Sequence, residues 1–110
     1  MIRTAICAIA LLAPAAALAA PVYLSCTMEG AAPLTATADE QQSIVTVMVE
    51  GTPAPQRLNA AFTPANVTFG KGSISYVLDR RTLQIVRTVV SMNWIDRGQC
   101  RIEKAPTRAF

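Results

Sequence analysis

The sequence has no histidine, few charged residues and a single tryptophan. Of its 110 residues, 15% are charged and 5% are aromatic. The absence of histidine excludes the Ser-His-Asp and Cys-His enzymes and the H-E-x-x-H zinc enzymes. The adjacent acids Asp39 and Glu40 would point to opposite faces of a strand, unlike the paired carboxylates of glycosidases. No C-x-x-C pair or glycine-rich phosphate loop occurs. We therefore expect no catalytic residue, no metal site and no cofactor, and a protein that is not an enzyme.

Long hydrophobic runs are also lacking, except at the start of the chain, where 17 of the first 20 residues are apolar. Arg3 precedes this run, which closes on Ala17-Leu18-Ala19. A charged start, an apolar middle and an A-x-A end are typical of a cleaved signal peptide. A transmembrane helix needs about 20 consecutive apolar residues, and Pro14 interrupts the run. We expect residues 1–19 to be a signal peptide, helical in the precursor, and residues 20–110 to be one domain in the periplasm or outside the cell.

Cysteine is scarce as well. Cys7 lies in the predicted signal peptide, which leaves Cys26 near the start of the mature chain and Cys100 near its end. Two cysteines in an oxidising compartment are most simply a disulfide. Closing a loop of this length should stabilise the domain by on the order of 4 kcal/mol. A metal or redox pair is the alternative, and without histidine or a C-x-x-C motif we favour the disulfide.

Beyond residue 20 the chain consists of short runs that alternate between apolar and polar residues. Val22–Met28 and Leu34–Ala38 have the pattern of half-buried strands, and Ser43–Val49 is apolar on both faces, as in a central strand. Further strands are predicted at 66–69, 73–78, 83–90 and 100–103, with Cys100 and Ile102 facing inward, a hairpin loop at 70–72 and Trp94 in a polar connection. Residues 57–62 are ambiguous.

No part of the mature chain shows a helical apolar stripe. The sequence therefore predicts an all-β fold, a small antiparallel meander of about seven short strands that forms a barrel or a sandwich. The predicted strands are shorter than the roughly 9–11 residues of a membrane-spanning strand. We therefore expect no integral membrane span after cleavage.

Charge is divided unequally along the mature chain. Residues 20–69 contain one basic and four acidic residues, whereas residues 70–110 contain eight basic and three acidic residues. One interpretation is a basic surface for an envelope protein or an anionic envelope component. The other is that the two halves neutralise each other within one sheet. We expect no nucleic-acid partner, because no DNA- or RNA-binding motif is present.

Three features resemble small exported proteins of Gram-negative bacteria whose function is uncharacterised. They are a cysteine soon after the signal, the segment Phe69–Arg80 and the closing Gly98-Gln99-Cys100. The likeness covers most of the mature chain in layout. It implies a β fold and gives no activity.

The chain is also similar, in size and in the position of its cysteines, to the periplasmic inhibitors of c-type lysozyme. Those inhibitors are small β-barrels with a disulfide between their terminal strands, and their loops insert a serine and a lysine into the lysozyme cleft. The resemblance implies such roles for Lys71 and Ser73. The S-G-x-x-Y motif of the inhibitors and their second Lys-Gly motif are absent here.

Two further residues are candidates for binding. Trp94 is either an exposed binding aromatic or a core residue, and Arg80 either binds an anion or is a solvated turn residue. The leading hypothesis is an exported β-domain that binds or inhibits a component of the cell envelope. A structural or stress-related envelope protein without a dedicated ligand site is the alternative.

Overall fold

The computed structural model of the protein describes residues 20–104. The predicted signal peptide, residues 1–19, lies outside this range. The described chain forms eight strands and one short 3-10 helix: β1 Val22–Met28, β2 Leu34–Asp39, β3 Ile44–Val49, β4 Gln56–Phe62, β5 Asn66–Lys71, β6 Ile74–Asp79, β7 Gln84–Val89, the 3-10 helix Val90–Met92 and β8 Trp94–Glu103. No helix within residues 20–104 has the length and apolar character needed to cross a membrane.

The strands form a closed antiparallel barrel in which each strand pairs with its neighbours in the sequence and β8 pairs with β1. The all-β meander predicted from the sequence is confirmed, with eight strands and a barrel rather than a sandwich. Two strands differ from the prediction. The ambiguous residues 57–62 belong to β4, and Trp94 begins β8 instead of lying in a connection.

The core fills the barrel interior with one face of every strand, because alternate side chains of a strand point to opposite sides of the sheet. The inward residues are mainly aliphatic, and Val45, Val47 and Ile85 are almost completely buried. Ile102 has the inward phase of β8, as predicted, but it is 64% exposed. It lies where the strand reaches the open end of the barrel, so the core ends before it.

The hairpin between β5 and β6 is tighter than predicted. Its turn consists of Gly72 and Ser73, and Gly70 belongs to β5. Gly72 has a φ of 63°, which favours glycine. A Cβ atom on Gly70 would lie 2.4 Å from the carbonyl oxygen of Ile74, so glycine is required there by the close approach of two backbones.

The barrel has two ends, which differ in what they expose. The upper end carries the connections at residues 29–33, 50–55, 72–73 and 90–93, and the lower end carries those at 40–43, 63–65 and 80–83 together with Ala20 and Lys104. Cys26 and Cys100 are directly opposite each other in the β1–β8 pair and form the predicted disulfide, with Cα atoms 3.9 Å apart. The disulfide therefore crosslinks the pair of strands that closes the barrel.

Candidate functional site

Three of the four predicted binding residues lie at the upper end of the barrel. Lys71 ends β5, Ser73 forms part of the following turn, and Trp94 begins β8. Lys71 and Ser73 are exposed, whereas Trp94 is half-buried. Arg80 lies in the β6–β7 connection at the lower end, so the structure does not bring all four residues together.

Two neighbouring loops form the surface around Lys71 and Ser73. The backbone amide of Val90 donates a hydrogen bond to the carbonyl oxygen of Ser73 at 2.8 Å, and the hydroxyls of Ser73 and Ser91 are 3.3 Å apart. These contacts join the β5–β6 turn to the 3-10 helix. We call the surface formed by residues 71–73 and 90–92 the upper rim.

The upper rim exposes large apolar side chains beside its polar groups. Val90 is 68% exposed and Met92 is 70% exposed. Single exposed apolar residues are common on soluble proteins, but two in one turn beside a cation and two hydroxyls form a mixed surface. Such a surface suits a protein partner, because apolar contacts supply binding energy and polar groups fix the orientation.

A row of functional groups lies inside the barrel, below the upper rim. Phe69, Tyr76, Arg87 and Asp96 occupy successive register positions on β5, β6, β7 and β8. The rings of Phe69 and Tyr76 stack with centroids 4.9 Å apart. The guanidinium carbon of Arg87 lies 6.0 Å from the centroid of Tyr76 and 5.4 Å from that of Trp94. Two aromatic rings therefore flank this cation within the range of cation–π attraction.

Asp96 is the one buried charged residue in the described core, at 5% exposure. Its Oδ1 accepts hydrogen bonds from the backbone amides of Gly30 at 2.8 Å and Arg97 at 2.9 Å. Through the bond to Gly30 it ties the β1–β2 connection to β8. Its Oδ2 is buried and has no partner within residues 20–104, and the same is true of the Nε atom of Arg87 on the neighbouring strand.

The side chain of Arg80 contacts other connections at the lower end of the barrel. Its side chain donates to the carbonyl oxygen of Thr63 at 2.8 Å and pairs with Glu40 at 3.0 Å. Its guanidinium also lies 5.9 Å from the ring centroid of Phe62. Arg80 thus links the three connections of the lower end. The hypothesis of a free anion-binding arginine is not favoured by this geometry.

The basic residues of the second half do not form one face. Lys71 lies at the upper end, Arg80 and Lys104 lie at the lower end, and Arg97 is exposed on the outer face of β8. The Arg80–Glu40 pair joins the basic and acidic halves, as the interpretation of mutual neutralisation expects.

Sequence reasoning missed Arg87 and Asp96. Arg87 lies midway between Ile85 and Val89 in β7. Because alternate residues of a strand share a face, the sequence already indicates that Arg87 faces the barrel interior with them. Asp96 was missed because the last strand was predicted to begin at Cys100. Extending the phase of Cys100 backward through Gly98 would have placed Asp96 and Trp94 inside the barrel.

No family model, curated protein or solved structure matches this chain. Within residues 20–104, no group of three or more histidine, cysteine, aspartate or glutamate residues is placed to hold a metal ion.

Proposed function

We propose that the mature protein is an exported, non-enzymatic binding module that contacts an envelope-associated protein through the upper rim. Export is supported by the signal-like start of the chain and by a disulfide of the kind that persists in oxidising compartments. The disulfide keeps the barrel closed, so that the loops of the upper end have a rigid base. Rigid presentation lowers the entropy that loops lose on binding.

The observation that carries this proposal is the pairing of two loops at one end of the barrel. The bond from Val90 to Ser73 and the contact between Ser73 and Ser91 join the turn that follows Lys71 to the 3-10 helix that exposes Val90 and Met92. The surface therefore combines one cation, two hydroxyls and two exposed apolar side chains. Arg80 and Lys104 at the other end take no part in it.

The first candidate partner is a c-type lysozyme, so the module would act as an inhibitor. This choice rests on the resemblance to periplasmic lysozyme inhibitors and on the loop position of Lys71 and Ser73. A lysine at the end of a strand, next to an exposed turn, can enter a cleft lined by carboxylates, and charge complementarity would speed the encounter. Val90 and Met92 would then pack against the edge of that cleft.

The test is the lysis of bacterial cell walls by c-type lysozyme with and without the purified mature protein. We expect the protein to slow lysis at about micromolar concentration. Replacing both Lys71 and Ser73 by alanine should weaken this inhibition by about tenfold or more, because such groups contribute most where they are desolvated. Unchanged lysis with the wild-type protein would exclude lysozyme as the partner.

Lys104→Ala is a matched control for the lysine substitution. Lys104 is the other lysine of the chain, it is exposed, and it lies at the lower end. We expect this variant to inhibit like the wild type. Equal losses of inhibition in Lys104→Ala and in the double variant of Lys71 and Ser73 would show that general positive charge, rather than the upper rim, governs the effect.

A structural envelope protein without a dedicated ligand site is the second candidate function. The half-buried position of Trp94 beside Arg87 and the bridging role of Arg80 favour it, because both residues are used within the fold. The two functions predict different effects of alanine at Lys71 and Ser73. A structural protein would lose neither stability nor any partner from these changes.

A further inference from the structure

A cavity of about 230 Å³ opens at the upper end of the barrel, inside the ring of strands. Val47, Val49, Ile74 and Tyr76 supply apolar surface to it, and Arg87 supplies a cation. Barrel mouths are common ligand sites, and a mostly apolar lining with a few polar groups, here from Thr52, Gln56 and Arg87, is typical of them.

Next to this cavity, two neighbouring strands of the barrel, β4 and β5, are not hydrogen-bonded to each other along their whole length. Strands β4 and β5 pair only at residues 60–62 with 67–69, whereas β4 begins at Gln56 and β5 extends to Lys71. The two strands therefore separate toward the upper end, where Gln56 lines the cavity. This gap and the open mouth both give a small molecule access.

Arg87 lacks an internal acceptor although it lies inside the barrel. Its Nε atom is buried without a partner, and the ion pairs found within residues 20–104 do not include it. Asp96 is its neighbour across the β7–β8 pair, but the two side chains form no hydrogen bond: the Oδ1 of Asp96 accepts from two backbone amides and its Oδ2 is buried without a partner. Because the Nε atom has almost no accessible surface, a ligand in the cavity would pair with the other nitrogen atoms of the guanidinium.

Two aromatic side chains lie beside the guanidinium of Arg87. Tyr76 and Trp94 flank it at 6.0 Å and 5.4 Å, and Tyr76 is itself held by stacking on Phe69. A planar guanidinium offers parallel donors that match the two oxygens of a carboxylate. The hydroxyl of Thr52 also lines the cavity, and it donates a hydrogen bond to the carbonyl oxygen of Val49.

We propose that the upper mouth of the barrel binds a small monocarboxylate with a short aliphatic tail. The carboxylate pairs with Arg87, and the tail lies against Val47, Val49 and Ile74. Arg87 is the one charged residue in the lining of the cavity, and its single positive charge matches the single negative charge of a carboxylate. This site is inside the barrel and is independent of the proposed contact of the upper rim with a partner protein.

Trp94 provides the readout, because it is the only tryptophan of the protein and lies next to Arg87. Sodium butanoate is the probe, with butan-1-ol as the neutral analogue and with sodium chloride and sodium phosphate at equal ionic strength. We expect butanoate alone to change Trp94 fluorescence saturably and to shift the Arg87 Hε–Nε resonance. An equal response to butan-1-ol or phosphate, or no saturable response to butanoate up to about 20 mM, would overturn the proposal.

Two substitutions separate the site from general effects on folding. Arg87→Met keeps the length of the side chain and removes the charge, and we expect it to weaken butanoate binding by about tenfold or more. Ala54→Phe fills the cavity from an exposed loop without altering Arg87 and should have a similar effect, even if the Arg87 variant does not fold.

Ala65→Phe is the matched control for Ala54→Phe, since it adds the same bulk to an exposed loop at the lower end. Unchanged butanoate affinity in the Ala65 variant and reduced affinity in the Ala54 variant are the expected results. Equal affinity in both would place the butanoate site elsewhere and contradict the assignment. Inhibition of lysozyme by the Arg87 variant should equal that of the wild type, so the two proposals can fail separately.

Discussion

Replacing Gly98 even by alanine should destabilise the fold. A Cβ atom at this position would lie 2.2 Å from the carbonyl oxygen of Thr27 and 2.6 Å from the sulfur of Met28. The backbones of β1 and β8 approach closely here, so an added methyl group must push the strands apart. Overpacking of this kind costs about 1–3 kcal/mol. We expect Gly98→Ala to lower the thermal midpoint by more than 4 °C, roughly the change that 1 kcal/mol causes in a domain of this size.

Gly72→Ala serves as the comparison for this prediction. Nothing lies within 4 Å of a Cβ atom on Gly72, and only its positive φ opposes the change. The cost of a left-handed conformation is about 1–2 kcal/mol. A loss of stability below about 1 kcal/mol for Gly98→Ala, measured by circular dichroism, would contradict the close approach of β1 and β8.

Asp79 should make stability depend on pH in acid. Hydrogen bonds from the backbone amides of Thr82 and Arg81 to its carboxylate lower the pKa of Asp79 below the ordinary value of 3.8. A lowered pKa in the folded state means that the carboxylate stabilises the fold above the pKa of the unfolded chain, and that this contribution is lost as the pH falls through the folded pKa. We therefore expect the stability advantage of the wild type over Asp79→Asn to shrink below about pH 4. Chemical unfolding at several pH values measures this advantage, and a constant difference across that range would contradict the assignment.

At the scale of elements, Arg80 should act as a clamp between connections of the lower end. Arg80→Met keeps much of the contact with Phe62 and removes the bonds to Thr63 and Glu40. An exposed ion pair contributes at most about 1 kcal/mol, and a hydrogen bond to a backbone carbonyl about 1 kcal/mol. We expect a loss of about 1–2 kcal/mol in urea unfolding and no loss of partner binding. If a stable Arg80 variant bound the partner protein more weakly than the wild type, Arg80 would belong to the binding site.

The strands could be predicted from the sequence where alternation is regular, as in Val22–Met28, and where β-branched residues are dense, as in Ile44–Val49. The boundaries of β4 and β8 could not be predicted from the sequence. Residues of β4 include Asn59 and two alanines, which have little strand preference, and β8 contains Gly98 in its middle. Pairing with β3 and with β1 and β7 makes these segments strands, and such pairing is a long-range effect.

At the scale of the whole molecule, the disulfide should decide whether the barrel stays closed. Cys26 and Cys100 are 74 residues apart in sequence, so their bond closes nearly the whole described chain. Removing such a crosslink costs on the order of 4 kcal/mol, a large part of the stability of a small domain. We expect Cys26→Ser with Cys100→Ser to lower the urea midpoint strongly or to prevent folding. An unchanged midpoint would show that the β1–β8 hydrogen bonds alone suffice.

The candidate site could be predicted only in part. The turn carrying Lys71 and Ser73 follows from its glycines, but its contact with residues 90–91 depends on the position of β7 beside β6. The inner row of Phe69, Tyr76, Arg87 and Asp96 depends on the register of three strand pairs. A single sequence gives the inward or outward phase of each residue, whereas the register that aligns four of them arises from closure of the barrel.

The central claim is that the upper rim is the surface that binds, and an NMR footprint tests it most directly. Backbone amide resonances of the isotopically labelled mature protein are recorded while unlabelled c-type lysozyme is added. We predict that the largest changes fall on residues 71–73 and 90–93, with Thr63, Arg80 and Lys104 unaffected. Changes centred on the lower end, or none at lysozyme concentrations of about 100 µM, would contradict the claim.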